Sequence, residues 1–291
     1  MTKRKIMAAE FARALGLHWT GRPLQTRCPA HEDHNPSLSI NAATDGSLLA
    51  YCHAGCAFEQ IIAAVPGLAP GGGERAQYAR VCESSNSDGI ARRAAALRIW
   101  RDARPAAGSR VQTYLEARSV WLPDGADLRF APRLKHKSGH IGPAMVGAIR
   151  DAKGEIAGVH RTRIKTDGSG KADVDHPKLM LGKAGGGAVR LIDRGSKLII
   201  GEGIETTLSV AMAIPEARAW AALSASGLEQ IDLEEEAGDL IIAADGEPRG
   251  RRAAFAFADR AARLGWRVRV LEAPAGQDWN DVVAGGGSVT K

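Results

Sequence analysis

The 291-residue sequence predicts a multidomain protein of mixed α+β and α/β class. It should contain a small metal-binding module, a basic α+β middle subdomain and a C-terminal parallel sheet. Three observations lead to this prediction. Cysteines and histidines cluster in residues 28–56, positive charge concentrates in the middle third, and short apolar runs alternate with helical patterns from residue 196 onward. At roughly 100–200 residues per domain, a chain of this length forms about two domains and a small extra module.

The composition changes along the chain at three places. A module over residues 1–66 precedes residues 67–95, which are rich in Gly, Ser and Pro, as is typical of a flexible linker. The basic α+β subdomain then spans 96–195, and the C-terminal domain spans 196–291. We expect the two larger domains to bury their own cores, because 44% of the residues are hydrophobic.

Charge is distributed unevenly between the two larger domains. Residues 98–195 contain 19 Lys and Arg against 10 Asp and Glu, a net charge of +9. Residues 196–291 contain 10 against 15, a net charge of −5. This pattern indicates a polyanion bound beside a carboxylate cluster. No apolar run reaches the roughly 18 residues of a membrane span, and no signal-peptide pattern follows the basic N-terminus, so we expect a cytoplasmic protein with no membrane partner.

The N-terminal module combines a helix over residues 6–16 with two short strands in "SLSI" and "LLAYC". A second helix is predicted in "AFEQIIAAV", where Phe58, Ile61, Ile62 and Val65 recur at helical spacing. Pro66 ends it. These elements frame the cysteine and histidine cluster.

The cluster has the spacing of a zinc site. Two residues separate Cys28 from His31, three separate Cys52 from Cys56, and about twenty lie between the pairs. Two tight turns that each aim two ligands at one ion complete a tetrahedron, and thiolates with imidazole suit zinc. Four protein ligands leave no position for water, so we expect structural zinc. His34 and His53 are also available, and the choice between Cys56 and His53 as fourth ligand stays open, with Cys56 preferred.

The middle subdomain begins with helical patterns in "ARRAAALRIWRDAR" and "VQTYLEARSV". The turn signal "RDAKGE" then predicts a β-hairpin, whose second strand is basic at Arg161, Arg163 and Lys165. The nearby "GSGKAD" around Lys171 is not a phosphate-binding P-loop, because Lys165 occupies the position of the required first glycine.

The C-terminal domain repeats an apolar run, a tight turn and a helix. This order occurs in "KLIIGEGIETTLSVAMAI" and again in "DLIIAADGEPRGRRAAFAFADRAARLG". A strand in "WRVRVLEAP" and a short helical turn in "DWNDVV" follow. Strands that alternate with helices predict a parallel sheet with crossover helices.

Acidic residues follow three of these predicted strands. Glu202 comes directly after one strand, Asp245 and Glu247 after the next, and Asp278 lies beyond a third. In open parallel sheets, functional groups gather where the strands end. Carboxylates that converge in one cleft predict a magnesium or manganese site, whose natural chemistry is two-metal phosphoryl transfer. "GEGIET" is not a dinucleotide fingerprint, since Thr206 replaces its third glycine.

Together, these motifs resemble a known family. "CPAHEDHNPSLSI" and "CHAGC" resemble the N-terminal zinc ribbon of bacterial and phage-type DNA primases. "GEGIETTLS", "AADGEPRG" and "DWND" resemble the Rossmann-like toprim catalytic domain in its small phage or plasmid form. "GEIAGVHRTRI" and "HPKLMLG" resemble the basic strand and loop of the same family.

The resemblance implies roles for individual residues. Glu202 would act near the metals and assist proton transfer, Asp245 and Glu247 would ligate magnesium or manganese, and Asp278 would complete the site. Arg161 or Arg163, together with Lys178, would meet template or nucleotide phosphates.

The sequence also departs from the family pattern. Glu247 stands where Asp is usual, and Thr206 and Asn280 stand where replicative primases carry acids. The number of catalytic metals therefore stays open.

The implied activity is that of a DNA-dependent RNA primase, a nucleotidyltransferase that makes short primers on single-stranded DNA. Its partners would be the template, ribonucleoside triphosphates, and a replicative helicase or polymerase supplied in trans. Two alternatives remain: a toprim-type metal-dependent nuclease, and a non-catalytic single-stranded-DNA-binding replication factor of a mobile element.

Overall fold

The computed structural model describes residues 6–33, 36–43, 45–52, 56–68, 75–233 and 236–289, with the backbone alone for 75–88. The chain divides into two compact units, Met1–Asp88 and Gly89–Lys291. The mixed α+β and α/β class predicted from the sequence is confirmed.

The N-terminal unit contains a three-stranded antiparallel sheet in the order β1-β2-β3. Its elements are α1 (Ala8–Ala14), β1 (Leu24–Thr26), β2 (Leu38–Ala42), β3 (Leu48–Cys52) and α2 (Phe58–Ala63). Leu38 and Ile40 alternate along β2 toward a buried core, which Phe11 of α1 and Ile61 and Ile62 of α2 complete. Both predicted helices and both predicted strands are present.

A long helix, α3 (Arg75–Asp102), occupies most of the segment expected to be a flexible linker. The backbone is therefore helical from residue 75 onward, and the boundary between the two units, at Asp88 and Gly89, falls inside the predicted linker 67–95. The flexibility of this segment remains a prediction. Arg and Ala, which are good helix formers, recur through this stretch. The Ser residues and Gly89 each destabilise a helix interior by at most about 1 kcal/mol. They are therefore compatible with a helix, although their frequency is also typical of a linker.

The C-terminal unit is built on one ten-stranded mixed sheet. Its first half comprises β4 (Arg104–Pro105), α4 (Arg110–Ala117), β5 (Leu128–Lys135), β6 (Ile141–Arg150), β7 (Ile156–Arg163), β8 (Lys178–Gly182) and β9 (Ala188–Ile192). All strand pairs within this half are antiparallel, and β6 and β7 form the predicted hairpin.

The second half contains β10 (Lys197–Gly201), α5 (Ile204–Ala213), β11 (Ala217–Ala221), α6 (Ala225–Gln230), β12 (Asp239–Ala244), α7 (Pro248–Arg263), β13 (Arg267–Glu272) and α8 (Trp279–Ala284). Strand β10 pairs in parallel with β11 on one side and β12 on the other, and β12 pairs in parallel with β13. The predicted parallel sheet with crossover helices is confirmed. Because β9 pairs with β11, one sheet runs through both halves.

Both faces of the parallel strands are covered. Ile199 and Ile241 belong to one core with α5 and α8, whereas Ile200 and Ile242 belong to another with α6 and α7. Alternating apolar residues on fully buried strands produce this three-layer packing. The carboxyl ends of β10 and β12 consequently open at one edge of the sheet, where Glu202 and Asp245 follow them.

Candidate active site and metal centre

Three acids predicted from the sequence interact at the carboxyl edge of the parallel strands. Gly201 pairs with Ala243, so Glu202 and Asp245 leave neighbouring strands at nearly the same level. Asp278 approaches from the N-terminal cap of α8. The charges of Glu202 and Asp278 both act on Asp245. Distant parts of the sequence therefore form one acidic cluster, defined here as Glu202, Asp245 and Asp278.

Asp245 lies at the centre of this cluster. Burial, and then the charges of Glu202 and Asp278, raise the pKa of Asp245 to about 7, although a hydrogen bond from the Thr206 side chain acts in the opposite direction. Its Oδ1 atom is buried and has no hydrogen-bond partner among the described residues. A buried carboxylate oxygen without a donor, held beside two further acids, is strongly destabilised unless a cation neutralises it.

Glu202, the second acid of the cluster, is partly buried. Burial raises its pKa, while a backbone hydrogen bond from Ala225 and the charges of Arg249 and Lys178 oppose that shift. At Gly250, in the first turn of α7, a Cβ atom would lie 3.3 Å from the Asp245 Cβ and 3.7 Å from Glu202 Oε2. Helix α7 therefore packs closely against both acids, and glycine permits this approach.

The remaining two predicted ligands differ in position. Asp278 caps α8, where its Oδ1 accepts a hydrogen bond of 2.8 Å from the Asp281 N–H, and its second oxygen is left for other partners. Glu247 is exposed at the N-terminal cap of α7. It is two residues from Asp245, yet the charges that chiefly act on Asp245 belong to Glu202 and Asp278. Its role as a ligand remains a prediction.

A buried acid in α5 was not identified from the sequence. Glu205 is 4% exposed. Its Oε1 accepts a hydrogen bond of 2.5 Å from the Tyr114 hydroxyl, and its Oε2 lies 3.3 Å from Lys178 Nζ. Burial alone would raise the pKa of Glu205, but Lys178, Tyr114 and Lys171 together lower it to about 2. The available signal was the one charged residue within the helical segment "IETTLSVAMA". Its partners lie 91 and 27 residues away.

Lys178, which was predicted to bind phosphate, contacts Glu205 and acts electrostatically on the acidic cluster. Its charge lowers the pKa of Glu205, Glu202 and Asp245. The Lys178 side chain is 39% exposed, so part of it faces solvent. A cation in this position can meet an anionic group that approaches the acids.

Lys171 is a second cation near the acidic residues. Burial lowers its pKa, and the charge of Lys178 lowers it further, whereas Glu205 and Asp278 act in the opposite direction. The preceding Gly168 has φ +81°, and its backbone packs against Thr113 of α4, which brings the loop toward Tyr114. The segment around Lys171 is not a P-loop, but it still places a lysine near the acidic residues.

His160 of β7 lies beside this network, buried and uncharged. Burial, and then the charge of Lys178, lower its pKa from 6.5 to about 4. An unfolded imidazole takes a proton as the pH falls through 6.5, whereas the folded one takes it only near pH 4. Stability is therefore lost across this window, by at most about 3 kcal/mol.

We expect His160→Met to remove that loss. Chemical denaturation between pH 7 and 4 should show the wild-type free energy of unfolding falling more steeply than that of the variant. His140→Met, at an exposed histidine, is the matched control and should follow the wild type. Parallel curves for wild type and His160→Met would contradict this account.

Two of the three departures from the primase pattern, Asn280 and Thr206, have structural roles. Asn280 is fully buried, and its Nδ2 donates to the Arg118 carbonyl at 2.6 Å and to Ser209 Oγ at 3.1 Å. It therefore fastens α8 to α5 and to the end of α4. Thr206 is also buried, and its side chain hydrogen-bonds to Asp245. Thr206 holds one of the acids in place instead of adding another.

Of the two arginines predicted to bind phosphate on β7, one is unsuitable. Arg163 is 1% exposed, and its guanidinium donates to the backbone carbonyls of Leu134 and Lys135. Because this buried guanidinium hydrogen-bonds to backbone carbonyls, Arg163 has a structural role. The prediction that Arg163 binds phosphate is therefore wrong. Arg161 is partly buried and donates to the Met180 carbonyl at 3.1 Å, and its contact with phosphate remains a prediction.

The N-terminal unit brings the four preferred zinc ligands together. One ligand atom from each of Cys28, His31, Cys52 and Cys56 lies within 4.8 Å of the others. Ligands about 2.3 Å from a tetrahedral zinc lie about 3.8 Å apart, so small side-chain movements close this set around an ion. His34 and His53 lie outside the described residues.

The surroundings of His31 fit a metal site as well. His31 Nδ1 lies 3.1 Å from Cys56 Sγ, whereas Nε2 lies 3.8 Å from Asp33 Oδ1. The other Asp33 oxygen accepts hydrogen bonds from the Cys28 N–H at 2.6 Å and from the Ser37 hydroxyl at 2.7 Å. A carboxylate behind a histidine fixes the ring so that one nitrogen faces the metal. Three sulfurs and one imidazole nitrogen are a donor set that suits zinc.

Two family models match the C-terminal unit. Residues 90–191 match a domain of unknown function (DUF7146), and residues 197–288 match the Toprim domain. The second match confirms the toprim resemblance and coincides with the part of the sheet that carries Glu202, Asp245 and Asp278.

Solved primase structures are among those similar to this chain. A DnaG primase catalytic domain bound to ssDNA is 15% identical, with 71% of this chain and 79% of that chain covered and a TM-score of 0.43. The primase fragment of the bacteriophage T7 primase-helicase protein is 20% identical (59% and 69% covered, TM-score 0.40). The Aquifex aeolicus primase, comprising its zinc-binding and RNA polymerase domains, is 15% identical (98% and 83% covered, TM-score 0.42).

A search of curated proteins found no match. Among the described residues, no helix has both the length and the apolar character needed to cross a membrane.

Proposed function

We propose that this protein is a DNA-dependent RNA primase that makes short primers on single-stranded DNA. The observation that carries the proposal is the acidic cluster of a toprim domain, with a buried Asp245 oxygen that has no partner in the described part of the chain and a partly exposed lysine whose charge acts on the cluster. Such a site suits phosphoryl or nucleotidyl transfer, because both cations and phosphates have counter-charges there.

In this proposal, Asp245, Glu247 and Asp278 hold magnesium or manganese. When bound, these ions supply the activation of the primer 3′ hydroxyl and the neutralisation of the pyrophosphate leaving group. Glu202 lies beside Asp245, and burial raises its pKa. That environment suits a group which accepts a proton from the attacking hydroxyl. Thr206 and the first turn of α7 keep the two carboxyl groups in place.

Lys178 and Arg161 would bind phosphates of the nucleotide or template. Lys178 is partly exposed and adjoins the acids, whereas Arg161 lies on the neighbouring strand β7 and pairs with Leu179. The net charge of +9 on residues 98–195 supports a template path along the middle subdomain. Binding through phosphates would make affinity fall steeply with salt concentration.

The zinc module would select the start site on the template. Its four-ligand site supports a structural role for zinc, because no ligand position is left for substrate. A replicative helicase or polymerase would be supplied in trans.

De novo synthesis on circular single-stranded DNA tests the proposal. Wild-type protein would be incubated with labelled ribonucleotides and Mg²⁺ or Mn²⁺, with and without template. We expect short labelled products that require the template. Degradation of the DNA without added nucleotides would instead establish a nuclease. Tight single-strand binding with neither reaction would favour a non-catalytic replication factor.

A further inference from the structure

Glu205 is the most deeply buried acid near the site, and the proposed reaction does not use it. Four charged or polar side chains around it come from different parts of the C-terminal unit: Tyr114 from α4, His160 from β7, Lys171 from the loop before β8, and Lys178 from β8. An ionised carboxylate at such a position requires partners for both oxygens.

Both Glu205 oxygens have partners within the protein. Tyr114 donates to Oε1 at 2.5 Å, and Lys178 Nζ lies 3.3 Å from Oε2. Glu205 is therefore not free to ligate a metal, although it is only three residues from Glu202. Burial and the charge of Glu205 raise the pKa of Tyr114, so the phenol keeps its proton and remains a donor.

The contact with Glu205 restricts the position of the Lys178 ammonium group. A lysine side chain has four rotatable methylene groups and otherwise samples many positions. Glu205 binds one side of the ammonium group, while the side chain remains 39% exposed. The remaining N–H groups are thereby kept near Glu202 and Asp245, on which the Lys178 charge acts.

We propose that Glu205 is a positioning residue that, together with Tyr114, holds the Lys178 ammonium near the acidic cluster to receive the triphosphate of the incoming nucleotide. The inference rests on the proposed function for the identity of the ligand. It goes further in assigning Glu205 a role that is neither metal binding nor contact with substrate.

Magnesium ATP binding, measured by calorimetry on the full chain, tests the inference without requiring synthesis. We expect Glu205→Gln and Lys178→Met each to weaken binding by about 10- to 30-fold, as the loss of a charge-assisted contact does. The double variant should bind no more weakly than Lys178→Met alone, because both changes remove the same interaction. Lys183→Met, which removes an exposed lysine next to β8, is the matched control and should bind as the wild type does.

Tyr114→Phe provides a second variant in case Glu205→Gln does not fold. It removes only the hydroxyl and should weaken binding about threefold, with no further loss when it is combined with Lys178→Met. In an active enzyme, the same variants should raise KM for the nucleotide more than they lower kcat, because Lys178 binds the phosphates outside the bonds that change.

Three results would overturn the inference. These are unchanged ATP affinity in a folded Glu205→Gln variant, losses that add in the double variant, and no ATP binding by the wild type. A lower melting temperature with unchanged affinity would assign Glu205 a purely structural role. If the variants bind ATP as expected but the wild type makes no primers, the proposed primase function is wrong, whereas the positioning role of Glu205 is supported.

Discussion

Asp245→Asn is expected to lower ribonucleotide incorporation by about 10³-fold. The substitution keeps the size of the side chain but removes the charge from a partly buried acid at the centre of the cluster. Asp245 carries the unpartnered oxygen and interacts with both Glu202 and Asp278, so no neighbour can replace it. Incorporation on single-stranded DNA at fixed Mg²⁺ concentration measures the effect.

The matched control is Asp259→Asn, which changes an exposed acid on α7, the helix that packs against the cluster. It should retain wild-type activity. The metal-free Asp245→Asn variant should also be at least as stable as the metal-free wild type at neutral pH, because it removes charge repulsion from a buried site. Equal incorporation by Asp245→Asn and wild type would show that the reaction occurs elsewhere.

Cys52→Ala is expected to abolish zinc binding and unfold the N-terminal unit. Cys52 ends β3, is buried, and is one of the four clustered ligands. Structural zinc contributes about 10–16 kcal/mol of apparent binding free energy in zinc-finger peptides, more than a unit of this size derives from its small core. Metal analysis should find one zinc per wild-type chain and none in the variant.

Amide hydrogen exchange shows which part of the chain unfolds in this variant. In Cys52→Ala, protection should disappear from residues 6–68 and persist through the parallel strands β10 and β12. Cys82→Ala, at the remaining cysteine of the sequence, is the control and should keep its zinc. A Cys52→Ala variant that retains a full equivalent of zinc would show that the ligand set is wrong.

Much of the acidic cluster was predictable because of one topological rule. Parallel strands end at the same edge, so acids directly after two such strands must lie near each other. Glu202 and Asp245 satisfy this rule through local sequence alone. Asp278 required only that α8 follow β13. The zinc ligands were predictable for a similar reason, since the two members of each pair are only three or four positions apart in the sequence.

The network around Glu205 was not predictable in this way. Its partners Tyr114 and Lys178 lie on α4 and β8, and nothing local in either segment indicates a buried acid nearby. The error at Arg163 has a related cause. Alternation along a strand shows that Arg161 and Arg163 share a face, but not that the end of β5 covers Arg163 with its carbonyl groups.

Manganese binding to the zinc-loaded protein tests the central claim most directly, namely that the acidic cluster is a divalent-metal site. Electron paramagnetic resonance measures the free Mn²⁺ that remains as the ion is titrated into wild type, Asp245→Asn and the Asp259→Asn control. We predict at least one Mn²⁺ bound per chain of wild type and control, and binding at least tenfold weaker in Asp245→Asn. Equal binding by all three proteins, or none by the wild type, would contradict the account.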